Sequence, residues 1–187
     1  MMLLPHELER LVAFASDRRW DDVMSGMPSA DTFSLAQWSR LLVRLAFFGE
    51  AVWLPTLLRR GANPKFKTEE GDTALSECLS GSIRRNPTFM TFSKLLESGA
   101  DPNEITRGGN RILHLAILEN RPEFTALLLL SGADPRLPAP DPDQPDAFRI
   151  ARSAKSDWAV GMLDRWRLEC DRGGYPSAAL PSGDRSE

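Results

Sequence analysis

The chain has 187 residues, of which 42% are hydrophobic and 26% charged, and its formal net charge is −3. That is enough apolar material for one substantial core, and the slightly acidic balance argues against a duplex nucleic-acid binder, which needs a basic surplus to neutralise phosphates. Cys78 and Cys170 stand far apart without CxxC spacing, so neither a disulfide framework nor a structural zinc site is indicated and a reducing compartment is the simpler reading.

In chain order, the opening "MMLLPHELERLVAF" carries Glu7 and Glu9 where a secretory leader would be basic and then apolar. No run approaches bilayer-spanning length. The chain therefore reads as cytoplasmic, with no membrane partner. Residues 6–28 read as a helix pair around the polar turn "SDRRWDD", Ser16 to Asp22. A second pair spans 35–63 and ends in "LLRRGANPK". A third spans 72–101, from "EGDTALSECL" to "LLESGADPN". The fourth, 110–134, runs from "GGNRILHLAI" through the polar break "ENRPE" to "LLLSGADPR". The last, 146–170, opens at "QPDAFRIAR". Residues 1–170 are expected to form a single domain, and 171–187 a disordered tail.

Three of these endings are nearly the same words. Their glycines, Gly61, Gly99 and Gly132, are spaced by 38 and 33 residues. Each follows a leucine run, where a helix needs a residue in the left-handed region. Asn63, Asp101 and Asp134 suit the following turn, and Pro64, Pro102 and Pro135 stop the helix from resuming. Thr73, Arg111 and Asp146 then hold equivalent places at the start of the next helix.

These residues resemble the ankyrin repeat, whose pattern is G-x-T-P-L-H-x-A-A, a turn, a leucine-rich second helix and a closing G-A-D. The best copy is "GNRILHLA" (Gly109 to Ala116) with Leu127 to Asp134, followed by "GDTAL" (Gly71 to Leu75) with Leu95 to Asp101. Leu41 to Asn63 keeps the closing part, Ala147 to Leu163 looks like a terminal copy, and residues 6–28 a degenerate N-terminal cap. The resemblance covers about residues 6–170. It implies an all-α fold, an ankyrin-type α-solenoid of stacked helix–turn–helix repeats with short loop or β-hairpin fingers. A helix pair cannot cover its own apolar face, so neighbours must stack. Two departures stand out. The segment "GSIRRNPTFM", Gly81 to Met90, lengthens the third pair, and the proline-rich arm "PRLPAPDPDQPDA" disfavours a hairpin before the last pair.

Few residues invite catalysis. The resemblance gives His114 a structural place, bonding the connecting loops, and His6 has no partner in sequence. Cys78 falls where the repeat wants a small buried residue. Asp141, Asp143 and Asp146 are spaced like a calcium loop, yet the central Gly and closing Glu are missing. No phosphate loop or acid–base set is present, so no enzyme, cofactor or metal is expected.

The expectation for function is a non-catalytic protein–protein interaction module, a monomer that grips a protein through its concave face and fingers and makes no nucleic-acid contact. The first finger offers Lys65, Phe66 and Lys67; the second Glu104, Ile105 and Arg107; the third Leu137, Asp141 and Asp143. Phe47, Phe48, Leu118 and Glu119 fall at the floor of the expected groove. An apolar centre with a charged rim is how interfaces distribute their energy. Small stand-alone ankyrin-repeat proteins of bacteria are similar, and the resemblance implies neutralisation of a cognate toxin, an immunity role, as one outcome. The alternatives are a scaffold or host-directed effector adaptor, and an enzyme or small-molecule binder that uses the groove as a pocket.

Overall fold

In the segment "LAQWSRLLVRLA", Trp38, Leu41, Leu42 and Leu45 recur at helical spacing, and all four are buried on one side of a helix that Ser34 starts. The Ser34 hydroxyl accepts from the Gln37 N–H while the Gln37 side chain accepts from the Ser34 N–H, a reciprocal cap that satisfies two otherwise orphaned donors. The computed structural model describes residues 6–17, 19–26, 33–49, 51–82, 88–139 and 145–173. Its helices are α1 (His6–Ser16), α2 (Trp20–Ser25), α3 (Leu35–Ala46), α4 (Leu54–Arg59, preceded by a 3₁₀ turn Ala51–Trp53), α5 (Ala74–Ser82), α6 (Thr88–Glu97), α7 (Ile112–Leu118), α8 (Pro122–Leu130), α9 (Ala147–Ser153) and α10 (Asp157–Asp171). Among the described residues no strand forms; Lys67–Thr73 and Ile105–Arg111 are isolated antiparallel bridges. The protein is all-α. No described helix is long and apolar enough to cross a membrane.

The chain forms two compact units, Met1–Asp101 and Pro102–Glu187. In the first, α1 packs on α2 and α5 on α6, while α1, α3 and α5 contact one another in succession. The 3₁₀ turn before α4 touches both α2 and α6. Leu11, Val23, Trp38, Leu45, Trp53, Leu57, Leu79 and Phe92 form its core. In the second unit α7 packs on α8 and α9 on α10, and the pairs meet α7 to α9 and α8 to α10. Ala116 and Ala151 are fully buried, and their small side chains permit the close approach of α7 and α9.

The repeated stop words act through backbone geometry. Gly61, Gly99 and Gly132 have φ of +85°, +94° and +95°. At each, the glycine N–H reaches back to the third residue before it and the next alanine's N–H to the fifth before itself, as in Gly61 to Leu58 and Ala62 to Leu57. That pair of bonds caps the last carbonyls, and the alanine that completes it is buried each time. The same closure ends α7 and α9 without glycine: Asn120 (φ 56°) and Lys155 (φ 52°) occupy the left-handed position, and Arg121 N–H and Ser156 N–H reach Ala116 O and Ala151 O. Trp158 Nε1 donates to Asn120 Oδ1 at 2.6 Å, tying that turn to α10.

The two fingers also share one pattern. Thr68 N–H donates to Asp72 O and Gly71 N–H to Thr68 O; 38 residues on, Thr106 N–H donates to Asn110 O and Gly109 N–H to Thr106 O. The segment read as an insertion, Gly81 to Met90, is helical at both ends, since α5 continues to Ser82 and α6 begins at Thr88; residues 83–87 lie outside the described residues. Gly81 is required there, because a Cβ would stand 2.0 Å from the Phe47 carbonyl oxygen. The tail expected from residue 171 lies outside the described residues beyond Gly173.

Candidate functional site

In the first unit, Phe47 caps the C-terminal end of α3 and packs edge-on against Phe48, with ring centroids 5.5 Å apart; both are half-buried. The finger that follows α4 places Lys65 and Lys67 in solvent and Phe66 half-buried between them. Its base is held by Asn63, whose Oδ1 accepts from the Lys65 N–H and whose own N–H donates to Ser39 Oγ. Arg40 on α3 reaches Glu69 at 2.8 Å across the same face.

In the second unit the finger residues divide. Arg107 is exposed and Ile105 half-buried, as a tip requires. Glu104, expected beside them facing a partner, is instead buried at 9% exposure. Its carbonyl accepts from the Ile112 N–H, which places it at the finger's base, under the start of α7. Leu137 is half-buried, while Asp141 and Asp143 lie outside the described residues. Asp146, the third member of that acidic spacing, caps α9 by accepting from the Arg149 N–H.

Leu118 and Glu119 end α7 with opposite characters. Leu118 is 53% exposed. Glu119 is half-buried, its Oε2 has no hydrogen-bond partner, and burial raises its pKa against the opposing pull of Arg121. Leu118 lines a surface cavity of about 380 Å³ with Ile150, Ser153 and Ala154 of α9, Pro145 before it, and Asn110 from the finger turn. The cavity therefore lies along the faces of α7 and α9. Ile150 and Ala154 were not legible as site residues, because nothing local distinguishes them from ordinary helix positions.

His114, one turn before Leu118 on α7, is fully buried. Desolvation, then the Arg111 charge, drives its pKa down to about 4; Asp146 and the Leu137 carbonyl pull weakly the other way. Neither ring nitrogen makes a well-formed hydrogen bond, so its approach to the Leu137 backbone is a loose version of the loop contact expected of it. Arg111 supplies the firm link, donating from Nε to Pro138 O and from Nη1 to Asn103 O. Cys78 is fully buried, and desolvation holds its thiol protonated far above the ordinary range. His6 begins α1.

No protein-family model matches the chain, and no curated protein matches it significantly.

Proposed function

We propose that this protein is built of ankyrin-type helix pairs and binds another protein through the exposed Leu118 at the end of α7, with the finger before α7 as a polar rim. The repeat is supported by two hydrogen-bonded fingers of identical pattern 38 residues apart and by three helix stops built from the same pair of backbone bonds. The observation that carries the binding reading is Leu118. A large apolar side chain, more than half exposed, stands at the end of α7 beside a cavity whose opposite wall is Ile150 and Ala154. An anchor residue from a partner seated in such a cavity would bury apolar surface against Leu118 and Ile150, the kind of contact in which interface energy concentrates. Arg107 and the neighbouring finger turn supply the polar margin.

The test is affinity capture from the native cell with the parent chain and with Leu118→Asp. Leu118 is exposed, so the variant should keep the parent's melting temperature. A protein retained stoichiometrically by the parent and lost with Leu118→Asp supports the reading. Equal retention by both chains shows that this face is not the one used.

A further inference from the structure

The geometry points to a second binding surface in the Pro102–Glu187 unit, an arginine cleft that takes a carboxylate-rich peptide segment of a partner protein. The cleft, about 340 Å³, is lined by Arg136 from the loop after Pro135, Arg149 and Arg152 of α9 and Arg167 of α10, with Phe148 and Trp166 among them. Two of the arginines are braced on rings. The Arg136 Cζ stands 5.4 Å from the Trp166 ring centroid and the Arg167 Cζ 5.9 Å from that of Phe148. At these distances ring and cation attract each other, which steadies both side chains.

Carboxylates hold Arg136 and Arg167 but not the two arginines of α9. Arg136 is already engaged by Asp134, from Nε to Oδ1 at 2.9 Å and from Nη2 to Oδ2 at 2.8 Å, which shows the fork-to-carboxylate geometry this surface favours. Arg167 meets Asp164 at 3.2 Å. Asp146 spends an oxygen on the Arg149 N–H, and Asp171 stands at the cleft's edge of α10. Among the described residues, Arg149 and Arg152 enter no ion pair. They are three apart on one helix and so share a face, and both are exposed.

The class of ligand follows from this mixture. A nucleic-acid backbone needs an unbroken positive lining, and Asp146 and Asp171 interrupt it. A peptide places its carboxylates discretely and lays apolar stems and backbone between them, which the Phe148 wall accommodates. The surface is separate from the cavity at Leu118, since Phe148, Arg149 and Arg152 of α9 line one and Ile150, Ser153 and Ala154 the other.

The two thiols provide a local readout. Cys170 lines the cleft and is half-exposed, whereas Cys78 is fully buried. A neutral maleimide should therefore modify Cys170 in the folded chain, and a bound ligand should slow it. The probe is a fluorescein-labelled Glu-rich decapeptide, with a Gln-rich decapeptide as its neutral match. The Glu-rich peptide is expected to bind the full chain by fluorescence anisotropy, to protect Cys170, and to lose both effects as salt is raised. Arg149→Ala with Arg152→Ala should weaken binding roughly tenfold and abolish protection. Leu118→Asp should change neither, so this inference and the Leu118 reading fail separately. Equal protection by the Gln-rich peptide, unaltered affinity in the double alanine variant, or tighter binding of a single-stranded oligonucleotide would each overturn it. Should the double variant melt early, the parent's salt response decides, because peptide binding indifferent to salt also overturns the proposal.

Discussion

With His114 fully buried on α7 and its pKa driven down to about 4, the folded chain refuses a proton that the unfolded chain accepts near pH 6.5. Its contribution to stability is complete above pH 6.5 and is lost as the pH falls toward 4. The loss is on the order of 1–3 kcal/mol. Urea unfolding at pH 7 and pH 5 should show the parent losing stability over that interval and His114→Gln losing much less. The lowered pKa of Asp134, caused first by its hydrogen bond from Arg136, acts in the same sense but only below the ordinary carboxylate range, so it leaves this window clear. Two glycines give a second residue-scale contrast. Gly81→Ala would drive a Cβ into the Phe47 backbone and should cost about 1–3 kcal/mol. Gly161→Ala, on an exposed stretch of α10 with nothing within 4 Å, should instead stabilise by about 0.5–1 kcal/mol. Thermal melts of the two variants check both signs.

At the scale of elements, the helix pairs were legible because their signals are local: leucine runs, a glycine stop, a turn-forming Asn or Asp, and then proline. Asn120 and Lys155 were not legible as left-handed positions, because no glycine marks them; the turn is imposed where the helix after it packs back onto the one before. Glu104 was misplaced for a similar reason. Sequence puts it beside Ile105 in a loop, whereas its carbonyl accepts from the Ile112 N–H, which draws its backbone to the start of α7, and the residue is buried. Leu113, next to that contact and 2% exposed, tests how much the α7 face contributes. Leu113→Ala should cost about 2–5 kcal/mol in chemical denaturation, as a cavity that α9 cannot fill without moving.

For the molecule taken whole, the net charge of −3 concealed the arginine cleft. Its members come from positions 136, 149, 152 and 167, so no window of sequence contains a basic run. The cavity at Leu118 is equally non-local, drawing on a finger turn, the end of α7 and one side of α9. Partner recognition is thus a property of assembled pairs, and a charge-reversing or apolar-to-acidic change at these surfaces should alter binding without altering stability. Leu118→Asp and the α9 double variant, melted beside the parent, should each fall within about 0.5 kcal/mol of it.

Asn103 gives the second unit a gauge of length. Its Oδ1 receives the Asp134 N–H at 2.8 Å while its Nδ2 grips the Gly132 carbonyl at 3.1 Å, so one amide spans the mouth of a loop some thirty residues around. Inside that bracket a single added or missing residue would slide the far end out of the amide's reach. Outside it the ruler does not apply, and there the chain does vary: the stretch from Gly132 to Asp146 is two residues longer than that from Gly99 to Arg111. A change of length between Asn103 and Asp134 would break one of the amide's two bonds, whereas a change in the arm after Asp134 leaves both in place.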